Sequence, residues 1–248
     1  MPGLELLWAS LALLLAYTLR GLTGFGSAMV AVPILSQFWP LVQVVPGVML
    51  LDYLAAWWLS RGKISGEPDR QEIRRLLPFA LAGCVAGAWL LLHTDNTLLM
   101  LLLGVAVTLF GGFYTVNPER LPAIPPVWAP LFGFFGGSTG ALFGVSAPPY
   151  VIYLTSRLKG KGEVRATFSY LARFDGAFRI ALMAYFGLLL NPVSLGLFGM
   201  GLAAAWAGLS LGDRLHQRLP QRRILRATGL LLTLLGLSLL LEAWLRHN

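Results

Sequence analysis

Two matched stretches of small residues could bind an anion. GFGSAMVAVP begins at Gly24, and GVSAPPYVIY begins 120 positions later at Gly144. Each stretch interrupts one apolar segment and opens a short one, so the first backbone N–H groups of the short helix lack helical partners. Such a helix start carries about half a positive charge, and glycine lets a ligand approach it closely. We therefore predict that the two helix starts bind a small anion near the membrane midplane.

Polar side chains near the two stretches could complete this site. Ser27 and Ser146 lie at matching positions and can donate hydroxyl hydrogen bonds. Arg20 immediately precedes the first stretch and would add a full positive charge, unless its side chain extends to the membrane interface instead. The sequence thus predicts two serine hydroxyls at the anion site, one from each half of the chain, together with the positive charge of Arg20.

Ionisable residues inside apolar runs are candidates for gating or coupling. Asp175 and Arg179 are four residues apart, so they can pair on one helix face. Asp52 corresponds to Ala172 under the 120-residue shift, so a two-fold axis could bring Asp52 next to Arg173. Charged groups are costly in lipid and usually face a partner or a cavity. We expect a mainly structural Asp175–Arg179 pair, a functional Arg173, and Asp52 as the best candidate for a group that titrates.

The elements that must position these residues are membrane helices. The chain has 248 residues, of which 56% are hydrophobic and only 12% are charged, whereas soluble domains average about 25% charged residues. Crossing a membrane takes about 20 apolar residues, so the second and seventh of ten apolar segments are too short to span it comfortably. The pattern predicts an all-α polytopic membrane protein. Its segments lie at about 4–20, 25–38, 41–60, 74–92, 97–116, 127–143, 147–158, 165–187, 192–210 and 224–245.

The ten segments form two sets of five with the same order of long and short members. A proline-rich linker at 117–126 separates an N-terminal repeat (1–116) from a C-terminal repeat (127–248). Equivalent loops of the two repeats differ in charge, one being rich in Lys and Arg and the other having none. Because basic loops stay in the cytoplasm, the repeats should have inverted topology, with a cytoplasmic linker and both termini periplasmic. Each repeat would hold three transmembrane helices and a broken helix pair, which is either re-entrant or fully spanning.

The sequence offers little for catalysis. Cys84 is the only cysteine, which excludes an intramolecular disulfide and a cysteine metal cluster. The three histidines are scattered, and there is no phosphate-binding loop, dinucleotide fingerprint or nucleophile elbow. We expect no enzyme activity, no cofactor and no metal site. The basic residues belong to cytoplasmic loops, so we expect no nucleic-acid partner either.

The two glycine-containing stretches, together with VRATF at Val164–Phe168, resemble the TauE/SafE sulfite-exporter-like family of membrane transporters. The resemblance covers almost the whole chain and implies transport of sulfite, sulfonates or related anions, often outward. A typical triple glycine of the family reads Gly-Ser-Ala and Ser-Ala-Pro here, which suggests a more polar and less open pocket. With Arg20 and Arg173 added, the expected substrate-binding residues are Arg20, Gly24, Phe25, Gly26, Ser27, Ala28, Gly144, Val145, Ser146, Ala147, Pro148 and Arg173.

We therefore expect a bacterial inner-membrane secondary transporter that exports a small anion, such as sulfite or an organosulfonate, by alternating access. Asp52, Asp175 and Arg179 are the gating or coupling residues. The expected partners are the anion, the lipid bilayer and protons as a candidate coupling ion, and the sequence allows a homo-oligomer. An anion channel with the same site and an uptake carrier for another small organic anion are the alternatives. A membrane-embedded enzyme and a non-transporting scaffold fit the sequence less well.

Overall fold

The computed structural model describes residues 3–24, 26–60, 67–116, 123–158, 160–216 and 221–247, so Phe25 lies outside the described residues. These ranges hold ten α-helices and two short 3₁₀ helices, at Pro126–Trp128 and Leu188–Leu190, and they contain no strand. The α-helices are α1 Gly3–Thr23, α2 Ser27–Leu35, α3 Leu41–Ser60, α4 Arg70–His93, α5 Asn96–Val116, α6 Ala129–Phe143, α7 Ala147–Arg157, α8 Lys161–Tyr185, α9 Pro192–His216 and α10 Gln221–His247.

Six of the described helices are long and apolar enough to cross a membrane, namely α1, α3, α4, α5, α9 and α10. This confirms the prediction of an all-α polytopic membrane protein. The second and seventh segments form short helices as expected, since α2 has 9 residues and α7 has 11. α8 has 25 residues but is not among the six, because its sequence contains several charged residues.

Glycines in the left-handed conformation break both helix pairs. Gly24 and Gly26, between α1 and α2, have φ angles of 86° and 92°. Gly144 ends α6 with a φ of 74°, and its N–H donates to the carbonyl oxygen of Gly140 at 2.9 Å. Residues with a Cβ rarely adopt this conformation, so glycine is what permits the chain to leave each helix here. The glycine pattern in the sequence therefore located both breaks.

The helices of the two predicted repeats are interleaved rather than packed side by side. α1 packs along α9, α4 packs along α6, and α5 packs along α10. If the first five helices are exchanged with the last five, the α1–α9 pair becomes the α6–α4 pair, and the α5–α10 pair is unchanged. A two-fold axis between the repeats would produce this pairing. The division at residues 117–126 and the inverted topology remain predictions.

Small residues let the interleaved helices approach closely. A Cβ atom added to Gly208 of α9 would lie 2.8 Å from the carbonyl oxygen of Leu14 and 2.9 Å from the backbone nitrogen of Thr18 in α1. A Cβ atom added to Gly83 of α4 would overlap the carbonyl oxygen of Phe134 in α6. Glycines spaced by four residues commonly bring membrane helices into backbone contact. The close contacts in both helix pairs thus depend on glycine having no side chain.

We expect Gly83→Ala to destabilise the protein by about 1–3 kcal/mol, because the added methyl group overpacks the α4–α6 contact. Gly112→Ala is the matched control, since no described atom lies within 4 Å of the Cβ position of Gly112. The control should leave stability unchanged or raise it by up to about 1 kcal/mol. Thermal unfolding of the two variants in detergent measures the difference, and equal melting temperatures would contradict the α4–α6 packing.

A buried carboxylate on α4 binds the carboxyl-terminal part of α7. The carboxylate of Glu72 accepts a hydrogen bond from the Tyr153 hydroxyl at 2.8 Å. It also accepts hydrogen bonds from Arg157 Nη2 at 3.2 Å and from Arg75 Nη1 at 2.8 Å. These contacts hold the carboxyl end of α7 against α4. The position of the amino end of α7 is therefore fixed by these contacts as well as by the helix break.

Candidate functional site

The two helix breaks meet inside the protein. A Cβ atom added to Gly144, at the end of α6, would lie 3.0 Å from the Cβ atom of Ala28 in the first turn of α2. Ala28 and Ser27 are buried, as are Val145 and Ala147 at the second break. The amino ends of α2 and α7 therefore lie close together in the protein interior, each at the point where one helix of a pair stops and the next begins.

The first polar cluster, which we call cluster one, consists of Tyr17, Arg20, Ser27 and Asp52. Arg20 Nη1 donates to Ser27 Oγ at 2.7 Å and lies 3.0 Å from Asp52 Oδ1. Arg20 Nη2 donates to the backbone oxygen of Asp52 at 3.1 Å. Ser27 Oγ donates to Asp52 Oδ1 at 2.6 Å, and the Tyr17 hydroxyl donates to the same oxygen at 2.7 Å. Cluster one therefore joins α1, the start of α2 and the middle of α3.

The Arg20 side chain lies in the protein interior rather than at an interface. Only 12% of the side chain is exposed, and its Nε atom is buried with no hydrogen-bond partner among the described residues. Arg20 lies one turn before the end of α1, so its guanidinium can reach Ser27 across the break. No described atom lies within 4 Å of the Cβ position of Gly24, which leaves room beside this end of α1.

The second polar cluster, cluster two, consists of Cys84, Ser146, Tyr150, Asp175 and Arg179. Arg179 Nε lies 3.1 Å from Asp175 Oδ1, and Arg179 Nη2 donates to Ser146 Oγ at 3.4 Å. Asp175 Oδ1 also accepts from Cys84 Sγ at 2.9 Å, and Asp175 Oδ2 accepts from the Tyr150 hydroxyl at 3.2 Å. The Asp175 side chain is completely buried, and the Asp175–Arg179 pair has the i, i+4 spacing expected from the sequence.

Both clusters contain an arginine, an aspartate, a serine and a tyrosine, but the arginines come from different helices. Arg20 corresponds to Gly140 under the 120-residue shift, and Arg179 Nη1 donates to the Gly140 carbonyl oxygen at 2.9 Å. A Cβ atom added to Gly140 would lie 2.8 Å from that same nitrogen. The guanidinium from α8 therefore occupies the space beside the second break that an arginine on α6 would need.

Comparison with known proteins identifies the family of the chain. A family model described as "Sulfite exporter TauE/SafE" matches residues 9–239, which contain both breaks and both clusters. The chain belongs to the TauE/SafE family. This confirms the resemblance inferred from the two glycine-containing stretches, and the chain is a membrane transporter of the TauE/SafE type.

One curated relative of this TauE/SafE transporter is the "Probable inner membrane transporter protein TsaS" of Comamonas testosteroni. The two sequences are 27% identical over 201 residues, a region that covers 79% of this chain and 82% of the relative. No solved structure matches the chain.

The two-fold argument suggests that Asp52 lies next to Arg173. The structure of the TauE/SafE transporter does not show this pair. Asp52 pairs with Arg20, whereas the Arg173 guanidinium carbon lies 5.0 Å from the centre of the Trp57 ring. Asp52 and Trp57 are five residues apart on α3, so they lie on different faces of that helix. The Nε atom of Arg173 is buried without a hydrogen-bond partner among the described residues. Among the described residues, Arg173 therefore takes no part in the hydrogen bonds of either cluster.

The two serines are also not equivalent by position. Ser27 is the first residue of α2, and Ser146 precedes the first residue of α7. The second start offers fewer backbone donors, because Pro148 and the following Pro149 have no N–H group. Pro148 therefore cannot bind an anion through its backbone nitrogen. The amino end of α2, which begins Ser-Ala-Met and has no side-chain cap, is the better donor.

Sequence reasoning missed three residues of the TauE/SafE transporter that contact the carboxylates. Tyr17 precedes Arg20 by one helical turn, and Tyr150 lies in the first turn of α7, but both sit in apolar runs where tyrosine is unremarkable. For Cys84, the sequence bears only on disulfide formation and metal binding and gives no sign of its contact with Asp175. A search for hydroxyl groups one turn from the buried charges could have found the tyrosines, whereas the contact of Cys84 with Asp175 depends on the packing of α4 against α8.

Because Cys84 is the only cysteine, it provides a built-in probe of the packing of cluster two. The thiol is buried and donates to Asp175, whereas a methanethiosulfonate reagent needs an accessible thiolate, so we expect the folded protein to react at least about tenfold more slowly than protein unfolded in dodecyl sulfate. Cys84→Ser should keep transport, since a hydroxyl can still donate to Asp175, and it should not react in either state. The mass of the intact protein and flux into proteoliposomes check both points, and rapid modification of the folded protein would contradict the burial of cluster two.

Proposed function

We propose that this TauE/SafE transporter is a secondary carrier that moves a small anion of the sulfite or organosulfonate class across a bacterial inner membrane. The observation that supports this most directly is cluster one at the start of α2, where Arg20 and Ser27 meet an uncapped helix end inside the protein. The family description names sulfite export, and on that basis we propose that the anion moves outward.

The chemistry of the site suits an oxyanion with several acceptor oxygens. A guanidinium presents N–H groups in a planar fork, and an anion can accept two parallel hydrogen bonds from it. The Ser27 hydroxyl and the backbone N–H groups at the start of α2 would bind a further oxygen, since a helix start favours negative charge. Cluster one can thus surround one sulfite or sulfonate group with donors from three directions.

The position of the site suits alternating access. The breaks meet between helices of the two predicted repeats, and transporters with inverted repeats commonly bind their substrates at such a junction. Movement of one repeat against the other would then expose the anion first to one side and then to the other. For an uncoupled anion, a negative cytoplasm favours export by about 2.3 kcal/mol per charge for each 100 mV.

A thermal-shift screen of the purified protein in detergent tests the proposed site. The panel holds sulfite, sulfate, thiosulfate, sulfoacetate, isethionate, acetate and chloride at matched ionic strength. An anion that binds only the folded state at 100 times its Kd stabilises the protein by about 2.7 kcal/mol. We expect one or two sulfur anions to raise the melting temperature, and the rise should shrink strongly in Ser27→Ala.

Ser210→Ala is the matched control, because the Ser210 hydroxyl only donates to the backbone oxygen of Trp206 within α9. The control should respond to anions like the unchanged protein. If no sulfur anion shifts the melting temperature, the proposed substrate class is wrong. If the shift survives in Ser27→Ala, the anion binds elsewhere in the protein. Flux in proteoliposomes then separates a carrier, whose rate saturates at low turnover, from a channel.

A further inference from the structure

In cluster one, an aspartate already occupies the donors that an anion would need. Asp52 Oδ1 accepts from the Tyr17 hydroxyl and from Ser27 Oγ, and it forms an ion pair with Arg20. None of the hydrogen bonds that the described residues make to this carboxylate goes to Oδ2. The site that should attract an anion is therefore filled by the protein's own carboxylate, held through a single oxygen atom.

One donor of the cluster remains unused. Arg20 Nε is buried and has no hydrogen-bond partner among the described residues, although burying a guanidinium N–H without an acceptor is costly. The Asp52 carboxylate cannot satisfy this atom from its position at Nη1. An anion bound along the other edge of the guanidinium, with oxygens at Nε and at a terminal nitrogen, would supply the missing acceptor.

Cluster two differs from cluster one at the corresponding carboxylate. Both oxygens of Asp175 have donors, from Cys84, Tyr150 and Arg179, and the side chain is completely buried. The Asp52 side chain is 17% exposed, and its Oδ2 accepts no hydrogen bond from the described residues. Asp175 is therefore fixed in its ion pair, whereas Asp52 can be displaced.

We propose that the anion and one proton bind together, with the anion replacing Asp52 as the counter-ion of Arg20 and the proton binding to Asp52 Oδ2. This inference rests on the proposed anion site. Asp52 acts as a built-in competitor of the anion when it is ionised and as a hydrogen-bond donor when it is protonated. Cluster two keeps its ion pair throughout.

The charges around Asp52 support this exchange. The groups that face its carboxylate are Tyr17 and Arg20 from α1 and Ser27 from α2, and Arg179 of α8 is near enough to interact with it electrostatically. Without an anion, Asp52 is the counter-ion of Arg20. Once an anion neutralises Arg20, an ionised Asp52 would be a second negative charge in a poorly solvated site, and such a group takes up a proton instead.

The exchange keeps cluster one electrically neutral in both states. Empty, it contains the positive Arg20 and the negative Asp52, and loaded, it contains Arg20, a monovalent anion and a neutral Asp52. A carrier that crosses between orientations with no net charge at the site does not feel the membrane potential. The direction of net movement is then set by the gradients of anion and protons together, so export against an acidic exterior requires an outward anion gradient larger than the inward proton gradient.

Isothermal titration calorimetry in two buffers with different ionisation enthalpies counts the protons taken up per anion. Isethionate and sulfate are the probes, because both stay ionised near neutral pH and any proton counted must enter the protein. We expect one proton per anion bound near pH 7 in the unchanged protein, and close to none in Asp52→Asn, which should still bind. Asp95→Asn, at an exposed position before α5, is the matched control and should take up one proton.

Asp175→Asn tests whether the proton binds to Asp52 or to Asp175. This variant should still take up one proton per anion bound, whatever its affinity for the anion. Binding by the unchanged protein without proton uptake would overturn this inference and leave the proposed function standing. Loss of the proton in Asp175→Asn rather than in Asp52→Asn would overturn it as well. If neither probe binds the unchanged protein, the proposed function itself fails.

The pH dependence of affinity tests the inference even if Asp52→Asn does not fold. With one proton taken up per anion, the affinity of the unchanged protein for either probe should fall about tenfold for each unit of rising pH. An affinity that stays constant between pH 6 and pH 8 would overturn the proposal.

Discussion

Replacing Arg179 with Gln should destabilise the transporter by about 3–5 kcal/mol, because Asp175 would remain as a buried carboxylate without its counter-ion. The Asp175 side chain is completely buried, and its other donors, Cys84 and Tyr150, are uncharged at neutral pH. Unfolding of the variant in detergent, followed by tryptophan fluorescence or as a melting temperature, measures the loss of stability.

The double variant Asp175→Asn with Arg179→Gln is the control for that prediction. Removing both charges also removes the cost of an unpaired one, so most of the lost stability should return. Transport should stay impaired in the double variant, because the donors beside the second break are gone. If Arg179→Gln is as stable as the unchanged protein, Asp175 is not held by Arg179 in the way the structure shows.

Replacing Arg20 with Gln should lower anion affinity on the order of 100-fold. Removing one partner of a buried, charge-assisted hydrogen bond costs about 2–5 kcal/mol of binding energy, and Arg20 is the charged donor closest to the start of α2. Calorimetric Kd values for the anion that gives the largest thermal shift measure the effect directly. Transport of the same anion into proteoliposomes should fall in parallel.

Two further variants make the Arg20 result specific. Arg226→Gln removes an exposed arginine of α10 and should leave the affinity unchanged. Arg20→Lys keeps the charge without the planar fork, so it should recover part of the affinity and not all of it. An unchanged affinity in Arg20→Gln would move the anion site elsewhere, with Arg173 beside Trp57 as the next place to test.

The local features of the fold were predictable from the sequence. A residue with positive φ is almost always glycine, so the clusters at Gly24 and Gly144 indicated where the helices break. The length of an apolar run limits the length of a helix, so the short α2 and α7 were also predictable. The i, i+4 pairing of Asp175 and Arg179 depends on helix geometry alone and was confirmed for the same reason.

The contents of the two clusters were only partly predictable. A constant shift of 120 residues aligns backbone positions of the two predicted repeats, and it suggests that Asp52 lies next to Arg173 of the other predicted repeat. The protein instead pairs Asp52 with Arg20 of the same repeat, and it supplies the second guanidinium from α8 rather than α6. The two clusters thus contain the same residue types, with the arginines contributed by different helices, and a single sequence cannot show which helix contributes a side chain to a shared interior.

The interleaving of the helices has a consequence for the synthesis of the protein. α1 emerges from the ribosome first, yet its glycine-lined partner α9 follows only near the end of the chain. At about 5–20 residues per second, α1 waits on the order of ten seconds or more for that partner. During this time Arg20 and Asp52, which lie within the N-terminal three helices, can already neutralise each other in the nascent chain. The pair that later competes with the substrate would thus also keep an unfinished membrane protein from exposing an isolated charge to lipid.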